Sequence, residues 1–169
     1  MSKALIQIVD ENDNPVGVAS LEESQSKGLI QQISRVMVED EKGNILLQKR
    51  AAHKKLFPGR WDNSAAGHVD EGEDYVKAAF REMAEEIGLR NVQLKEAAYF
   101  YTSFTFKDMK LNQFQRVYKV QQPSGTKFNP DPDEVSEVRW FSKAELLSLL
   151  EKPENLTVGL AETIKRLYS

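Results

Sequence analysis

The sequence predicts an α/β fold in which a mixed β-sheet lies between helices and a β-hairpin precedes it. Three observations point there. A capped, proline-free stretch of helical periodicity runs from Asp74 to Gly88. Short β-branched and aromatic runs, separated by clusters of Gly, Asn, Asp and Pro, lie on both sides of it. Two further capped stretches close the chain.

In chain order, Leu5 to Val9 reads as a strand, Glu11-Asn12-Asp13-Asn14-Pro15 as a turn and Val16 to Ala19 as the returning strand. Leu21 to Gly28 is polar, a loop or a short helix. Ile33 to Val38 is a β-branched strand, Glu39 to Asn44 a turn and Ile45 to Gln48 its second arm. Ala97 to Phe106 and Phe114 to Val120 form another strand pair around a turn at Lys107 to Lys110. Gln122 to Asp133, rich in proline, is a loop, and Val135 to Phe141 a strand. Ser142 with Glu145 makes a capping box for a helix from Lys143 to Leu150, and Thr157 caps a last helix reaching about Tyr168.

With 169 residues the chain suits one domain, residues 1–169, in which 1–30 form the hairpin extension. A net charge of −3 gives no basic footprint for a nucleic acid polymer. The chain has no cysteine, which excludes disulfides, thiolate metal sites and a thiol nucleophile. No apolar run reaches the roughly 18 residues of a membrane span, and the first residues do not resemble a secretory leader. A cytoplasmic protein without a membrane partner is expected; a homodimer is left open.

In the central helix Val76, Phe80, Met83 and Ile87 share one stripe, which is expected to face the core. Glu82, Glu85 and Glu86, at i, i+3 and i+4, project together from another side. Such a cluster is either a solvated acidic face or a site for a hard cation, and the spacing of the whole stretch decides. Gly67, Glu73, Arg81, Glu82, Met83, Glu85, Glu86, Gly88 and Leu89 match every defining position of the Nudix box. The chain therefore resembles the Nudix hydrolases, and the resemblance implies a Nudix-type α/β/α sandwich whose loop-helix-loop site, residues 67–89, binds divalent metal and a substrate diphosphate.

By that resemblance Glu82, Glu85 and Glu86 hold Mg²⁺, or Mn²⁺, together with the carbonyl of Gly67. Arg81 orients a glutamate, Glu73 braces the loop, and Glu82, Arg81 and Glu85 are the catalytic candidates. The chemistry is coherent, because two phosphates would be repelled by glutamates unless oxygen-preferring cations lay between them. Glu134 and Glu137 are candidates for a carboxylate supplied by a late loop.

The segment before the box carries Arg50, Lys54, Lys55, Arg60 and His68. Such cations are either a solvated loop or partners of phosphate. The motif R-A-x-x-K-K-x-x-P-G-x-W-x-N-S-x-x-G-H, residues 50 to 68, together with Glu11 to Gly17, resembles the isopentenyl-diphosphate isomerase branch of the same superfamily. That likeness implies diphosphate contacts for Arg50 and for Lys54 or Lys55, with His68 beside them. The isomerase cysteine is replaced by Ala66, its later glutamate motif is placed at Asn112-Gln113-Phe114, and Ser34 stands where a metal-binding histidine is expected. Tyr99, Phe100, Tyr101, Phe104 and Phe106 can stack a nucleobase or simply cover both faces of a sheet.

The expected activity is hydrolysis of a diphosphate linkage in a nucleoside diphosphate derivative or a nucleoside di- or triphosphate, by water attacking phosphorus. An isopentenyl-diphosphate isomerase and a non-catalytic nucleotide-binding module are the alternatives.

Overall fold

Residues 5–169 are described by a computed structural model. The first four residues of the N-terminal extension lie outside the described residues. The strands are β1 (Ile6–Val9), β2 (Pro15–Ala19), β3 (Ile30–Glu39), β4 (Ile45–Arg50), β5 (Trp61–Asp62), β6 (Ala65–His68), β7 (Lys95–Phe106), β8 (Met109–Gln121) and β9 (Val135–Phe141). The α-helices are α1 (Leu21–Lys27), α2 (Tyr75–Ile87), α3 (Lys143–Ser148) and α4 (Val158–Leu167).

The nine strands form one mixed, mostly antiparallel sheet centred on β3. β3 pairs antiparallel with β1, β4 and β6 and parallel with β8, from Ile30 opposite Asn112 to Glu39 opposite Gln121. β2 pairs with β1, β7 with β8, and both β5 and β9 with β4. Because side chains alternate along a strand, β3 serves two cores. Val36 and Val38 join Leu46, Tyr118 and Val120 beneath α2, where Ala78, Ala79, Met83 and Ile87 pack on them. Met37, with Ile45, Leu47, Val117 and Phe141, meets Leu146 of α3 and Leu160 and Ile164 of α4 on the opposite face. The arrangement is the expected sandwich of helices about a mixed sheet.

Three strands begin two or more residues earlier than the apolar runs suggest. β3 starts at Ile30 and β8 at Met109, where Gln31, Gln32 and Gln113 are buried strand residues that hydrophobicity does not mark, and β7 starts at the exposed Lys95, which pairs with Lys119 of β8. The polar segment 21–28 is a helix, begun by Ser20, whose Oγ accepts the Glu23 N–H, and ended by Gly28 at φ 68°. β5 and β6 lie within the cationic segment that sequence leaves without elements. α3 stops at Ser148 and passes into a 3-10 turn over Leu149–Glu151.

The core stripe of α2 is a correction. Met83 and Ile87 are fully buried, but Val76 and Phe80 are 43% and 37% exposed. The inward side is instead Tyr75, Ala78, Ala79, Met83, Glu86 and Ile87. The helix is rolled so that Glu86, rather than Val76 and Phe80, turns toward the sheet.

Candidate active site

α2 is held at both ends by local geometry. Asp74, the N-cap, accepts the Lys77 N–H at 2.8 Å, and Gly88 ends the helix at φ 70°, a conformation that favours glycine. Between these caps Arg81 is the hub. Its Nε and Nη2 bind both oxygens of Glu73 at 2.8 and 2.9 Å, and Nη2 also donates to the His68 carbonyl at 2.9 Å. Its Nη1 donates to Glu82 Oε1 at 2.7 Å and reaches Glu85 Oε2 at 3.4 Å, while Asp70 Oδ2 lies 3.3 Å from Nη2. Glu73 Oε1 also accepts the Asp70 N–H at 2.9 Å, which ties the loop to the helix.

Each of the three box carboxylates is held through one oxygen. Glu82 is held by Oε1 and Glu85 by Oε2, both on Arg81. Glu86 is held by Oε1, which accepts the Ala66 N–H at 2.8 Å and Gln48 Nε2 at 3.0 Å. Glu82 Oε2, Glu85 Oε1 and Glu86 Oε2 accept no hydrogen bond among the described residues. Gly67 makes room for this cluster, since a Cβ there would overlap the Glu82 carboxylate.

Burial, with Glu85 and Asp70 nearby, pushes the Glu82 carboxyl up to about 7 against the pull of Arg81. Burial and then the neighbouring Glu82 raise Glu86 well above the usual carboxylate range. Asp70, Glu73, Glu82 and Glu85 all contact the single guanidinium of Arg81, and Glu86 adds a fifth acid beside Glu82. Oxygen-only donors with surplus negative charge suit a hard divalent cation. Among the described residues no three His, Asp or Glu side chains are placed to hold one metal ion as they stand, and Glu82 and Glu85 both bind Arg81. A cation would have to draw their open oxygens together.

The basic residues of the preceding segment are placed differently from one another. Arg50 Nε donates to the Leu56 carbonyl at 2.9 Å, and its Nη1 is 3.7 Å from Asp62 Oδ2. Lys54 Nζ pairs with Glu134 Oε2 at 2.6 Å, and the Glu134 carbonyl accepts the Ala51 N–H. Lys55 is exposed, as is Glu137 on β9 opposite Lys49. Arg60 lies over Phe57 and Phe106 instead of standing free. His68 is half-buried, with Nε2 3.2 Å from Gln31 Oε1. Burial first, then the charges of Arg35, Arg50, Arg81 and Lys54, lower its imidazole to about 4. Those four cations share one neighbourhood with His68.

Sequence reasoning passed over Arg35, Asp62 and Gln48. Arg35 Nη1 donates to Asp62 Oδ1 at 2.8 Å and Asn63 Oδ1 at 2.9 Å, and Asp62 Oδ1 also accepts the Thr157 hydroxyl at 2.8 Å. The sequence signal of Arg35 and Gln48 is a charged or amide side chain inside an apolar strand, where an unpaired polar group would be costly; Asp62, in the two-residue β5, carries no such signal. The aromatic residues of β7 divide between faces. Phe104 and Phe106 meet Phe57 on one side, while Tyr99 and Tyr101 flank Phe114 on the other.

The isomerase positions also shift. Ser34 Oγ donates to the Tyr75 carbonyl under α2, away from His68, and the β3 residue that meets His68 is Gln31. On β8 the residues turned to that side are Gln113 and Gln115, in place of Asn112 and Phe114. Gln113 Nε2 donates to Gln31 Oε1 at 2.9 Å, Gln115 Nε2 to Gln113 Oε1 at 3.1 Å, and Arg35 Nε to Gln115 Oε1. The β8 positions on that side thus carry neutral amides, Gln113 and Gln115, which link to Arg35 and can neither hold a hard cation as carboxylates do nor take up a proton.

A family model of the NUDIX domain matches residues 31–167. The chain belongs to the Nudix family. It is 32% identical over 168 residues to a protein named isopentenyl-diphosphate Delta-isomerase 2 of Photorhabdus laumondii, covering 96% of this chain and 92% of that one. It is 31% identical over 163 residues to the uncharacterized Nudix hydrolase YfcD of Escherichia coli K12, covering 95% and 87%. The solved structure of DR0079 from Deinococcus radiodurans superposes with a TM-score of 0.80 at 25% identity, covering 98% of this chain and 99% of that one. The box residues and these Nudix relatives make the chain a pyrophosphohydrolase of that family. No helix among the described residues is long and apolar enough to cross a membrane.

Proposed function

We propose that this Nudix protein hydrolyses the diphosphate linkage of a nucleoside diphosphate derivative, or of a nucleoside di- or triphosphate, with Mg²⁺ or Mn²⁺ as cofactor. One observation supports the reading above the others. Among the described residues the three box carboxylates each keep one oxygen without a hydrogen-bond partner, and Arg50 and Lys54 lie near His68, whose carbonyl Arg81 binds. Glu82, Glu85, Glu86 and the Gly67 carbonyl would hold the cation, which supplies polarisation of the phosphoryl oxygens and neutralises the leaving phosphate.

The other roles belong to side chains. Arg50 and Lys55 bind the diphosphate, and Lys54 joins them when it leaves Glu134. His68 sits beside that phosphate as a neutral imidazole. Glu82, whose carboxyl titrates near neutrality, takes the proton of the attacking water as the phosphoanhydride bond breaks. Arg81 keeps Glu82 and Glu85 oriented, and Glu134 is available as an additional carboxylate. Residues 1–169 act as one domain in this reading.

The likeness to an isomerase-named relative favours allylic proton exchange as a second reading. Ala66 has no proton to exchange, and Gln113 and Gln115 are amides, so hydrolysis is preferred. The test is a panel of nucleoside diphosphates and triphosphates, sugar nucleotides and isopentenyl diphosphate, with Mg²⁺, with Mn²⁺ and with EDTA. Phosphate or nucleotide release that EDTA stops and Glu85→Gln lowers by about 10²-fold or more supports hydrolysis. Deuterium exchange into isopentenyl diphosphate without phosphate release would overturn it.

A further inference from the structure

We infer that Gln48 is a positioning residue for the cation site, fixing the plane of the Glu86 carboxylate so that its other oxygen is presented to the metal. The inference rests on the metal-dependent reading above. Gln48 lies on β4, 1% exposed, outside the Nudix box and opposite Asp62 of β5. Its Nε2 is 3.0 Å from Glu86 Oε1 and 3.3 Å from the Ser64 carbonyl oxygen. Both neighbours are acceptors, so the amide can face them only with its N–H₂ side. This fixes the amide's orientation.

Glu86 Oε1 receives a second donor, the Ala66 N–H at 2.8 Å. Two donors converge on one oxygen, one from the sheet's β6 strand and one from Gln48. The carboxylate is left to present Oε2, which accepts nothing among the described residues. The backbone donor comes with the fold, whereas the Gln48 donor is a side chain that substitution can remove. Without it, the carboxylate plane of Glu86 is free to turn about its last bond, and the open oxygen is no longer held in one direction. Partners that orient a ligand in this way commonly contribute 10- to 100-fold to metal affinity.

The test is Mn²⁺ binding to the whole chain without substrate, read from the loss of the free-ion EPR signal. It compares wild type, Gln48→Met, Gln48→Glu, Glu86→Gln and the double variant Gln48→Met/Glu86→Gln. Gln48→Met keeps the volume and removes the donor, and is expected to weaken Mn²⁺ by about 10-fold or more. Gln48→Glu keeps the shape and sets an acceptor against Glu86, and is expected to weaken it at least as much; it also covers a failure of the Met variant to fold.

The double variant decides whether Gln48 acts through Glu86. Affinity equal to that of Glu86→Gln alone supports the inference, because the partner it orients is already gone. Losses that add would assign Gln48 a merely structural part and overturn it, as would wild-type affinity in Gln48→Met. Wild-type affinity in Glu86→Gln would instead overturn the metal reading on which the inference rests.

Discussion

Gly67 and Glu82 sit closer than any side chain between them would allow. A Cβ on Gly67 meets the carboxylate of Glu82 itself, a group already fixed by Arg81 and by its own burial. Gly67→Ala is therefore expected to leave the β6–β3 pairing in place and to push Glu82 out of position. Since a misplacement of about 1 Å can cost about 10²-fold, kcat should fall by that order while the circular dichroism spectrum is unchanged. Wild-type kcat in Gly67→Ala would remove Glu82 from the mechanism. Arg81 offers a second check at the same scale. Its fork binds Glu73 through two nitrogens and still reaches Glu82 and the His68 carbonyl, a geometry lysine lacks. Arg81→Lys should lose activity by about 10-fold or more, assayed beside Arg50→Lys, whose deficit should appear in KM as weaker phosphate binding.

At the scale of elements, caps carry more than helix ends. Thr157 accepts the Leu160 N–H at 3.1 Å as the N-cap of α4 and also donates its hydroxyl to the buried Asp62, which pairs with Arg35. Removing an N-cap side chain costs about 0.5–2 kcal/mol. Leaving a buried acceptor short of a donor adds about 1–3 kcal/mol. Thr157→Ala should thus lower the urea midpoint clearly more than Ser142→Ala, whose capping box is exposed. Equal midpoints would show that the link to Asp62 is worth little. The same elements show what sequence can reveal. α2, its caps and its acidic cluster were readable because the residue spacing is local and the box is dense. The inward side of α2 was not, because buried glutamates count as polar in any apolar periodicity, and it is the sheet that draws them in. β5 and β6 were missed for a related reason: β5 is two residues long and β6, of Ala, Gly and His, carries little β signal, so only pairing with β4 and with β3 makes them strands. Gln31 beside His68 could not be found from sequence, since a register set between distant strands places it there.

For the whole molecule, the surplus of buried acid should make stability depend on pH and on the cation together. Glu82 titrates near 7 in the folded chain and at 4.5 as a free side chain, so between those values the folded state keeps a proton that the unfolded state has lost. Its contribution to stability is full below about pH 4.5 and is lost as pH rises through about 7. Glu86 is raised for the same reason and acts in the same direction. His68 has the opposite sign. Its imidazole is lowered from 6.5 to about 4, so its contribution is present above about 6.5 and is lost as pH falls through about 4. The two slopes oppose each other over much of the same range, and the metal-free melting curve alone will not separate them. A divalent cation does, because it takes the deprotonated carboxylates and competes only with the acid protons. The rise in Tm on adding Mg²⁺ or Mn²⁺ is therefore expected to be larger at about pH 8 than at about pH 5.5. In Glu82→Gln that rise should shrink at pH 8, and the metal-free Tm should fall less than in wild type between the two pH values. An equal rise at both pH values would mean that the cation does not bind through these buried glutamates.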